Sequence, residues 1–428
     1  MSAERSGKYE IRRPLGEGAT SIVFLAWDPF NLREVAIKQL RPEVLKDRER
    51  GRLYRQLFAN EAAFSGRLLH PHIVQIHDAM VDDDTAYVVM DYVPGGTLER
   101  LTRAGSLPSF ERVIEIVFKA TRALDYAFHQ GVTHRDIKPA NILLMSPEGS
   151  DIRISDFGAA LNTARETTQI SGVGSPAYMS PQQVREVPLD HRTDIYSLGV
   201  VMFELLTGRL PFESDNNYSL LYRIANETLP LPSDLRPDVP EALDRIVRRA
   251  TESDIEHRYQ DWAEFSHDLA LAFRNHSVEI GRDSVPEAER FDTLRTMQFF
   301  QEFSDAELWE VIRVSQFSRV QAGTLIMKED EGGDSICFII DGEARVKKRG
   351  RLLHVLSAGE CFGEVAVFSA AAGVRSASVE AATETRLLTL RAHALRRASN
   401  VCRMHFYKAF LEVLATRLSH ASARLANL

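Results

Sequence analysis

Two short polar motifs carry the side chains of this sequence that are best suited to chemistry. The first reads His134-Arg135-Asp136-Ile137-Lys138-Pro139-Ala140-Asn141, and the second reads Asp156-Phe157-Gly158. Asp136 can orient a hydroxyl group and Lys138 supplies a cation beside it. The side-chain oxygens of Asn141 and Asp156 suit a hard metal ion. Phosphoryl transfer needs this set, because it depends on a positioned nucleophile and on Mg²⁺ that neutralises charge on the phosphates.

The segments around these motifs predict how they are brought together. The apolar runs Ile142–Leu144 and Ile152–Ile154 predict two short strands joined by a turn at Glu148-Gly149. Such a hairpin holds the loop before its first strand close to the residues after its second strand. An isolated Asp-Phe-Gly is only a turn signal, but the two motifs in this order form a specific combination.

The combination resembles the catalytic and metal-binding loops of protein kinases, and Lys138 is similar to the lysine of the serine/threonine-specific branch. The resemblance implies an enzyme that uses ATP and Mg²⁺ and acts on protein hydroxyls. It also implies that Asp136 orients the hydroxyl and that Lys138 stabilises the transferred phosphoryl group. Asn141 and Asp156 would hold the metal.

Composition bounds the class of protein. At 428 residues the chain has room for two or three domains, and its apolar and charged fractions of 44% and 26% are typical of globular proteins. The net charge of −8 argues against bulk binding of nucleic acid. Cys337, Cys361 and Cys402 are too few and too scattered for a disulfide framework or a zinc site. We therefore expect a protein of the reducing cytoplasm.

The sequence also predicts no membrane association. The first residues, Met1 to Arg5, contain no apolar signal core. The longest apolar stretch, Ile195–Leu206, is interrupted by Glu204 and is too short to span a bilayer.

A glycine-containing loop near the N-terminus lies between the strand-like runs Tyr9–Pro14 and Ser21–Asp28. Glycines let backbone amides approach a phosphate closely. A dinucleotide-binding fold would need a helix after the loop, whereas Ile22–Ala26 is strand-like. The kinase loop usually carries a third glycine, and Ser21 stands there in this chain.

Further positions of the predicted ATP site follow from the kinase resemblance. Lys38, at the end of Val35-Ala36-Ile37, is similar to the lysine that holds the α- and β-phosphates, and its partner is expected to be Glu61. Glu43 and Glu49 are weaker candidates for that partner. Met90 is expected behind the adenine. The full set expected to contact ATP is Leu15, Gly16, Glu17, Gly18, Ala19, Thr20, Ser21, Val23, Ala36, Lys38, Met90, Asp91, Val93 and Asn141.

A polar segment, 162–174, follows the second motif and resembles a kinase activation segment. Its candidate phosphorylation sites are Thr167, Thr168 and Ser171, because Arg135 supplies a cation that a phosphate could engage. Ser175 is expected to hydrogen-bond between Asp136 and Lys138.

Two positions of the following segment are expected to anchor the large lobe. Most kinases carry a Glu where this chain has Gln182, so Arg258 should gain a neutral hydrogen bond in place of an ion pair. Asp194, at the start of an apolar helix, is expected to anchor the backbone of the catalytic loop.

The periodicity changes after a polar segment, 276–290, which predicts a linker. Beyond it, helical patterns are followed by short strands at close spacing, which suggest a small β-barrel or jelly roll. Gly363 and Glu364, with Arg375 and Ser376, resemble the phosphate and ribose contacts of cyclic-nucleotide-binding domains, so cAMP or cGMP is a candidate effector. The stretch Phe368–Val374 is longer than the family pattern.

Together the resemblances imply an α+β protein. A bilobal kinase fold at 1–275, with lobes at about 9–93 and 94–275, would precede a cyclic-nucleotide-binding-like domain with flanking helices at 291–428. Two alternatives stay open: a pseudokinase scaffold, and a barrel kept for docking or dimerisation. The amphipathic segment Val401–Leu418 could cover the pocket or pair two chains into a homodimer.

Overall fold

The computed structural model describes residues 5–18, 20–47, 51–82, 85–103, 105–157, 161–162, 176–214, 216–279, 287–368, 373–396 and 398–426. The chain divides into two compact units, Met1–Arg282 and Asp283–Leu428. The predicted linker, 276–290, is entered by a helix that ends at Glu279 and by another that begins at Glu287.

The first unit begins with a lobe that is mostly β-sheet. Its elements are β1 (Arg5–Ser6), β2 (Tyr9–Glu17), β3 (Ser21–Asp28), β4 (Arg33–Leu40), α1 (Pro42–Lys46), α2 (Gly51–Ser65), β5 (Ile76–Val81) and β6 (Ala86–Asp91). The strands form one antiparallel sheet in the order β1-β2-β3-β4-β6-β5. Alternate residues of these strands, such as Val35, Ile37 and Val89, are buried on one face. On the other face, Phe58 of α2 packs against Leu40 and Val88.

The second lobe of this unit is mostly helical. Its elements are α3 (Phe110–His129), β7 (Val132–Thr133), β8 (Ile142–Leu144), β9 (Ile152–Ile154), β10 (Leu161–Asn162), α4 (Pro181–Val184), α5 (Arg192–Thr207), α6 (Asn217–Asn226), α7 (Pro232–Leu235), α8 (Glu241–Ala250) and α9 (Trp262–Glu279). The α3 helix begins where the Ser109 side chain accepts a hydrogen bond from the Arg112 N–H. The α5 helix is mostly apolar and almost wholly buried, so it forms the centre of this lobe.

The second unit consists of two small sheets with helices at both ends. Its elements are α10 (Glu287–Thr296), α11 (Asp305–Val314), β11 (Ser315–Val320), β12 (Leu325–Met327), β13 (Ser335–Asp341), β14 (Ala344–Lys348), β15 (Arg351–Leu356), β16 (Cys361–Phe362), α12 (Glu364–Phe368), β17 (Ser378–Ala381), β18 (Thr385–Arg391), α13 (Ala392–Leu395) and α14 (Asn400–Ala426). The sheets have the orders β11-β18-β13-β16 and β12-β17-β14-β15. They form an open jelly-roll sandwich and not a closed β-barrel, which was the other form that the sequence suggested.

Apolar side chains hold the second unit together. The sheets bury a shared core: Met327, Cys337, Ile339, Ala344, Leu356, Phe362, Val379 and Leu387. Phe406 and Phe410 of α14 pack against Phe299 and Phe338, with ring centroids 4.8–6.2 Å apart. This contact fixes the first half of α14 on the domain.

Two expectations from composition can be compared with the structure. Cys337, Cys361 and Cys402 are all buried and free. Within the described ranges, no helix combines the length and hydropathy needed to cross a bilayer.

Candidate active site and nucleotide pocket

The two chemical motifs meet as their flanking apolar runs predict. Strands β8 and β9 cover the predicted residues and pair antiparallel, with Leu143 opposite Arg153. The Ser155 N–H donates to the Asn141 carbonyl oxygen at 2.9 Å, so the two motifs are linked directly through their backbones. His134 lies under this junction. Its Nε2 contacts the Ser155 carbonyl oxygen at 2.9 Å, and its ring lies 4.5 Å from that of Phe157.

Asp136, the acid of the first motif, has two side-chain partners. Its Oδ2 accepts from Lys138 Nζ at 2.7 Å and from Asn141 Nδ2 at 3.0 Å. The same Asn141 nitrogen also donates to the Asp136 carbonyl oxygen at 2.8 Å. The carboxylate is thus fixed in direction and neighboured by a cation, as a group that orients a hydroxyl beside a phosphate must be.

The loop that carries Asp136 is anchored by a buried carboxylate. Asp194 accepts from the His134 N–H at Oδ2 and from the Arg135 N–H at Oδ1, both at 2.7 Å. Burial raises the pKa of Asp194, although the nearby histidine and these backbone donors oppose the shift. The predicted anchoring role of Asp194 is confirmed.

Backbone conformation at the site is strained at two functional residues. Arg135 and Asp156 have φ values of 66° and 62°, in the left-handed region that non-glycine residues rarely occupy. Such conformations persist only when the surroundings impose them. At Arg135 the contacts lie on both sides of the residue: its own N–H donates to Asp194, and the N–H of the next residue, Asp136, donates to His134 Nδ1 at 3.3 Å.

Lys38 reaches the second motif. Its Nζ forms an ion pair with Asp156 Oδ1, and the Lys38 side chain is only 16% exposed. Its expected partner, Glu61, lies on α2, but the Glu61 side chain is outside the described part of the chain. The Lys38–Glu61 pair therefore stays a prediction.

The glycine loop is held at its base by Arg41. The Arg41 guanidinium pairs with Glu17 at 2.8 Å and donates to the Gly18 carbonyl oxygen at 3.1 Å. The Arg41 N–H donates to the Thr20 carbonyl oxygen at 2.9 Å. Ala19, at the tip, is outside the described residues. The sequence pattern did not single out Arg41.

The strand that enters the hinge carries the residues expected around adenine. Met90 is half-buried and packs against the cluster formed by Leu40, Phe58 and Val88. Val93 is buried, and the Asp91 N–H donates to the Gln75 carbonyl oxygen at 3.0 Å. The Asp91 N–H is therefore already bonded to the backbone just before β5.

The predicted activation segment falls mostly outside the described residues. This holds for the candidate phosphorylation sites Thr167, Thr168 and Ser171, and for Ser175. On α4, which follows the segment, Gln183 Nε2 donates to the Arg135 carbonyl oxygen at 2.9 Å. This contact ties α4 to the catalytic loop, and sequence reasoning missed it.

Gln182 and Arg258 meet as predicted. Arg258 Nη2 donates to Gln182 Oε1 at 3.0 Å, and the other guanidinium nitrogens donate to the carbonyl oxygens of Glu252 and Arg192. Arg258 is 1% exposed, and burial lowers its pKa to about 10. Neutral acceptors therefore satisfy a cation that most kinases pair with a carboxylate.

The second unit contains a cavity of about 920 Å³ between its second sheet and α14. Arg375, one of the predicted contacts, lies in its wall and is buried. Nη1 donates to the carbonyl oxygens of Ser335 and Gly363 at 2.8 and 2.9 Å, and Nη2 donates to Ser335 Oγ at 2.9 Å. Gly333 leaves room for this side chain, since a Cβ there would lie 2.0 Å from Arg375 Nε.

Glu364 lies in the same wall and has a partner that the sequence did not reveal. Its Oε1 accepts from Arg417 Nη1 of α14 at 2.5 Å, and Arg417 Nη2 donates to the Cys361 carbonyl oxygen. Glu364 is 3% exposed, and its Oε2 is buried without a partner among the described residues. The amphipathic pattern of the last helix predicted that it could cover the pocket. Which polar residue would point inwards depends on how the helix packs.

Comparison with known proteins finds a family match in each unit. The family model for the protein kinase domain matches residues 9–268, which is more than half of the chain. The chain belongs to the protein kinase family. A second model, for the cyclic nucleotide-binding domain, matches residues 317–400, the part that contains Glu364 and Arg375.

Curated relatives of this kinase are bacterial serine/threonine kinases. Serine/threonine-protein kinase PrkC of Bacillus subtilis is 36% identical over 286 residues, which are 66% of this chain and 43% of the relative. Serine/threonine-protein kinase PknB of Mycolicibacterium smegmatis is 36% identical over 272 residues, 62% of this chain and 43% of the relative. The chain thus spans less than half the length of these relatives.

The oxygen donors of this kinase fit a divalent cation. Asn141 uses its amide nitrogen for Asp136, which leaves the amide oxygen as the group that can meet a metal. Asp156 presents a carboxylate that is 38% exposed and already carries a cationic partner, Lys38. Oxygen ligands with water completing the shell are what Mg²⁺ requires.

The buried anchor yields a prediction for stability. Asp194→Asn should destabilise the kinase unit by about 1–3 kcal/mol, because an amide can accept only one of the two N–H donors and turns its own NH₂ towards the other. Calorimetry of the full chain should show the lower melting temperature. Asp190→Asn is the matched control: Asp190 precedes the same helix, is 41% exposed and pairs with Arg192, so its loss should cost less than about 1 kcal/mol. Equal melting of the two variants would contradict the anchoring role.

Proposed function

We propose that this protein is an ATP- and Mg²⁺-dependent serine/threonine protein kinase. The observation that carries the proposal is the Asp136 carboxylate, which is fixed by Lys138 and Asn141 on a loop anchored at Asp194. The family match and the relatives' names support the same activity. A pseudokinase reading is less well supported, since every position of the two motifs keeps its functional residue.

The roles of the side chains follow from their positions. Asp136 accepts the hydrogen bond of the substrate hydroxyl and aims its oxygen at the phosphorus. Lys138, 2.7 Å from Asp136, neutralises charge on the transferred group as that charge spreads over its oxygens. Asn141 and Asp156 would hold Mg²⁺, which would neutralise charge on the phosphates of ATP. Lys38, which pairs with Asp156 in this structure, would hold the α- and β-phosphates.

The proposed activity includes the protein's own activation segment, with Thr167, Thr168 and Ser171 as candidates. Arg135 precedes Asp136, and its carbonyl oxygen is held by Gln183. A phosphate on the segment would meet the Arg135 cation and order the segment against the catalytic loop.

We further propose that the second unit binds a cyclic nucleotide, cAMP or cGMP, and regulates the kinase in cis. The domain match supports this, as do the buried Arg375 and the partner-free Oε2 of Glu364 in one cavity. Arg375 provides the cation for the cyclic phosphate, Ser376 follows it at the cavity wall, and Glu364 accepts from a ribose hydroxyl. The nucleotide can shift the protein between an active and a less active conformation by no more than the difference in its affinity for those two conformations.

The last helix also supports a homodimer. Besides its buried face, α14 exposes a second apolar row, in which Met404, Leu411 and Leu418 are 70%, 68% and 69% exposed. With Tyr407 and Leu414 these residues alternate at spacings of three and four, the repeat that packs a helix against a copy of itself. We propose a second copy of the chain as the partner of this row.

The catalytic proposal is tested at Asp136. Asp136→Asn should reduce phosphate transfer from labelled ATP by at least about a thousandfold while ATP affinity stays close to that of the unaltered chain, because Asp136 acts on the hydroxyl and not on the nucleotide. Lys38→Met should also lose most of the activity. Mapping of the unaltered, autophosphorylated chain should find phosphate on Thr167 or Thr168. Comparable labelling of Asp136→Asn would refute the assignment.

The effector proposal is tested at Arg375. Isothermal titration of the full chain, with its ATP site saturated by a non-hydrolysable analogue, should show uptake of cAMP or cGMP. Arg375→Ala should lose this uptake, because an ionised phosphate would enter a buried wall without its cation. Arg345→Ala, at an exposed arginine of the same domain, is the matched control and should bind as the unaltered chain does. No uptake at millimolar nucleotide by the unaltered chain would mean that the domain is a docking or dimer module.

The dimer proposal is tested with a charge in the exposed row. Leu411→Glu should shift the full chain from dimer to monomer in sedimentation velocity, because two carboxylates would face each other across the helix pair. Thr416→Glu places the same charge on the opposite side of α14 and should leave the dimer intact. A monomeric unaltered chain at tens of micromolar protein would exclude the pairing.

A further inference from the structure

A cluster of three charged or titratable side chains, those of His77, Asp91 and Arg153, lies behind the hinge. Asp91 Oδ1 contacts His77 Nε2 at 2.7 Å, and Asp91 Oδ2 accepts from Arg153 Nη1 at 2.6 Å. Each carboxylate oxygen therefore has its own partner. The three side chains are 18–25% exposed, so water screens them only partly.

The three residues come from strands of both lobes. His77 lies on β5 and Asp91 ends β6, whereas Arg153 is the central residue of β9 in the helical lobe. Backbone bonds run alongside: the Ile154 N–H donates to the His72 carbonyl oxygen at 2.8 Å, and the Val74 N–H donates to that of Ile154 at 2.9 Å. The Asp91–Arg153 contact is thus a side-chain tie between the lobes at the point where the chain crosses from one to the other.

The tie is electrostatically favourable. Burial of Asp91 would raise its pKa, but the hydrogen bond with His77 and the charge of Arg153 outweigh burial and hold the pKa below its ordinary value. A carboxylate that stays ionised in a partly buried position keeps both partners in place. Asp91 Oδ2 also lies 3.4 Å from the Gln75 N, while the Asp91 N–H donates to the Gln75 carbonyl oxygen. Both side chain and backbone of Asp91 are therefore fixed.

We propose that Arg153 and His77 are positioning residues that act through Asp91: they fix the hinge backbone against β9 and thereby set the affinity for ATP. The proposal deepens the proposed kinase function and rests on it. The adenine ring is expected against the backbone of Asp91 and Val93, directly beside the tie. The phosphate end of ATP is expected at Lys38 and Asp156, which form an ion pair with each other.

This arrangement separates two kinetic quantities. Without the tie, the hinge backbone can sample other positions. ATP binding then has to restore the position that accepts adenine, so the affinity for ATP falls. Once ATP is bound, Asp136 and Lys138 act on the hydroxyl as before. The KM for ATP should therefore rise while kcat at saturating ATP changes little.

The experiment compares two changes at Arg153 in the full chain. Arg153→Met keeps the aliphatic stem but removes the charge, and should raise the KM for ATP about fivefold with kcat within about twofold. Arg153→Lys should keep the KM of the unaltered chain, because a single nitrogen, Nη1, makes the contact and an ammonium group can replace it. Asp91→Asn should raise the KM by a similar factor, and adding Arg153→Met to it should raise the KM little further.

Binding measured without turnover separates the outcomes. Calorimetric titration of ATP into Asp136→Asn, with and without Arg153→Met, should show the same fivefold loss. An unchanged ATP affinity in Arg153→Met would overturn the proposal, as would a fall of kcat and melting temperature shared by the Met and Lys variants. An unaltered chain that binds ATP but transfers no phosphate would count against the proposed kinase function, and the binding arm would still decide the role of the tie.

Discussion

The catalytic half of this protein depends on one buried carboxylate. Asp194 offers its two oxygens to two consecutive backbone N–H groups, and hydrogen bonds to a charged acceptor contribute about 1.5–3 kcal/mol each. They fix the backbone at His134 and on the N-terminal side of Arg135, and Arg135 takes its left-handed conformation immediately before Asp136. The packing of α5, which is almost wholly buried and mostly apolar, offsets the cost of burying Asp194. The core of the lobe and the direction of the catalytic acid are therefore coupled.

At the edges of the site, charged side chains likewise link segments that are far apart in sequence. Lys38 meets Asp156 across the cleft, Arg258 joins Gln182 to the loops around α5 and α8, and Asp91 meets Arg153 behind the hinge. None of these pairs is fully exposed, so each fixes geometry more than an ordinary surface ion pair would. The catalytic groups are thus positioned by contacts on all sides of the cleft.

Charged side chains also organise the cavity of the second unit. Arg375 and Glu364 are buried in one wall, and the guanidinium of Arg375 rests on the carbonyl oxygens of Ser335 and Gly363. Arg417 joins Glu364 to the last helix, so α14 contributes to both the aromatic core and the cavity wall, and it also carries an exposed apolar row. A ligand that competes for Glu364 would act on the same helix that we propose to pair two copies.

The sequence by itself determined the β8–β9 hairpin and the two motifs beside it, because their residues lie close together in the chain and are encoded by short-range periodicity and motif order. The anchoring Asp194 and the Gln182–Arg258 pair join residues 60 and 76 positions apart, and the resemblance to protein kinases predicted them. Tertiary structure alone decided Arg41 at the glycine loop, Gln183 on the Arg135 carbonyl, Arg153 behind the hinge and Arg417 in the cavity wall. Each is an ordinary charged or polar residue on a strand, short helix or amphipathic helix, and only the packing of distant elements selects its partner. The physical reason is range: backbone periodicity is local, whereas the partner of a side chain depends on how the whole domain folds.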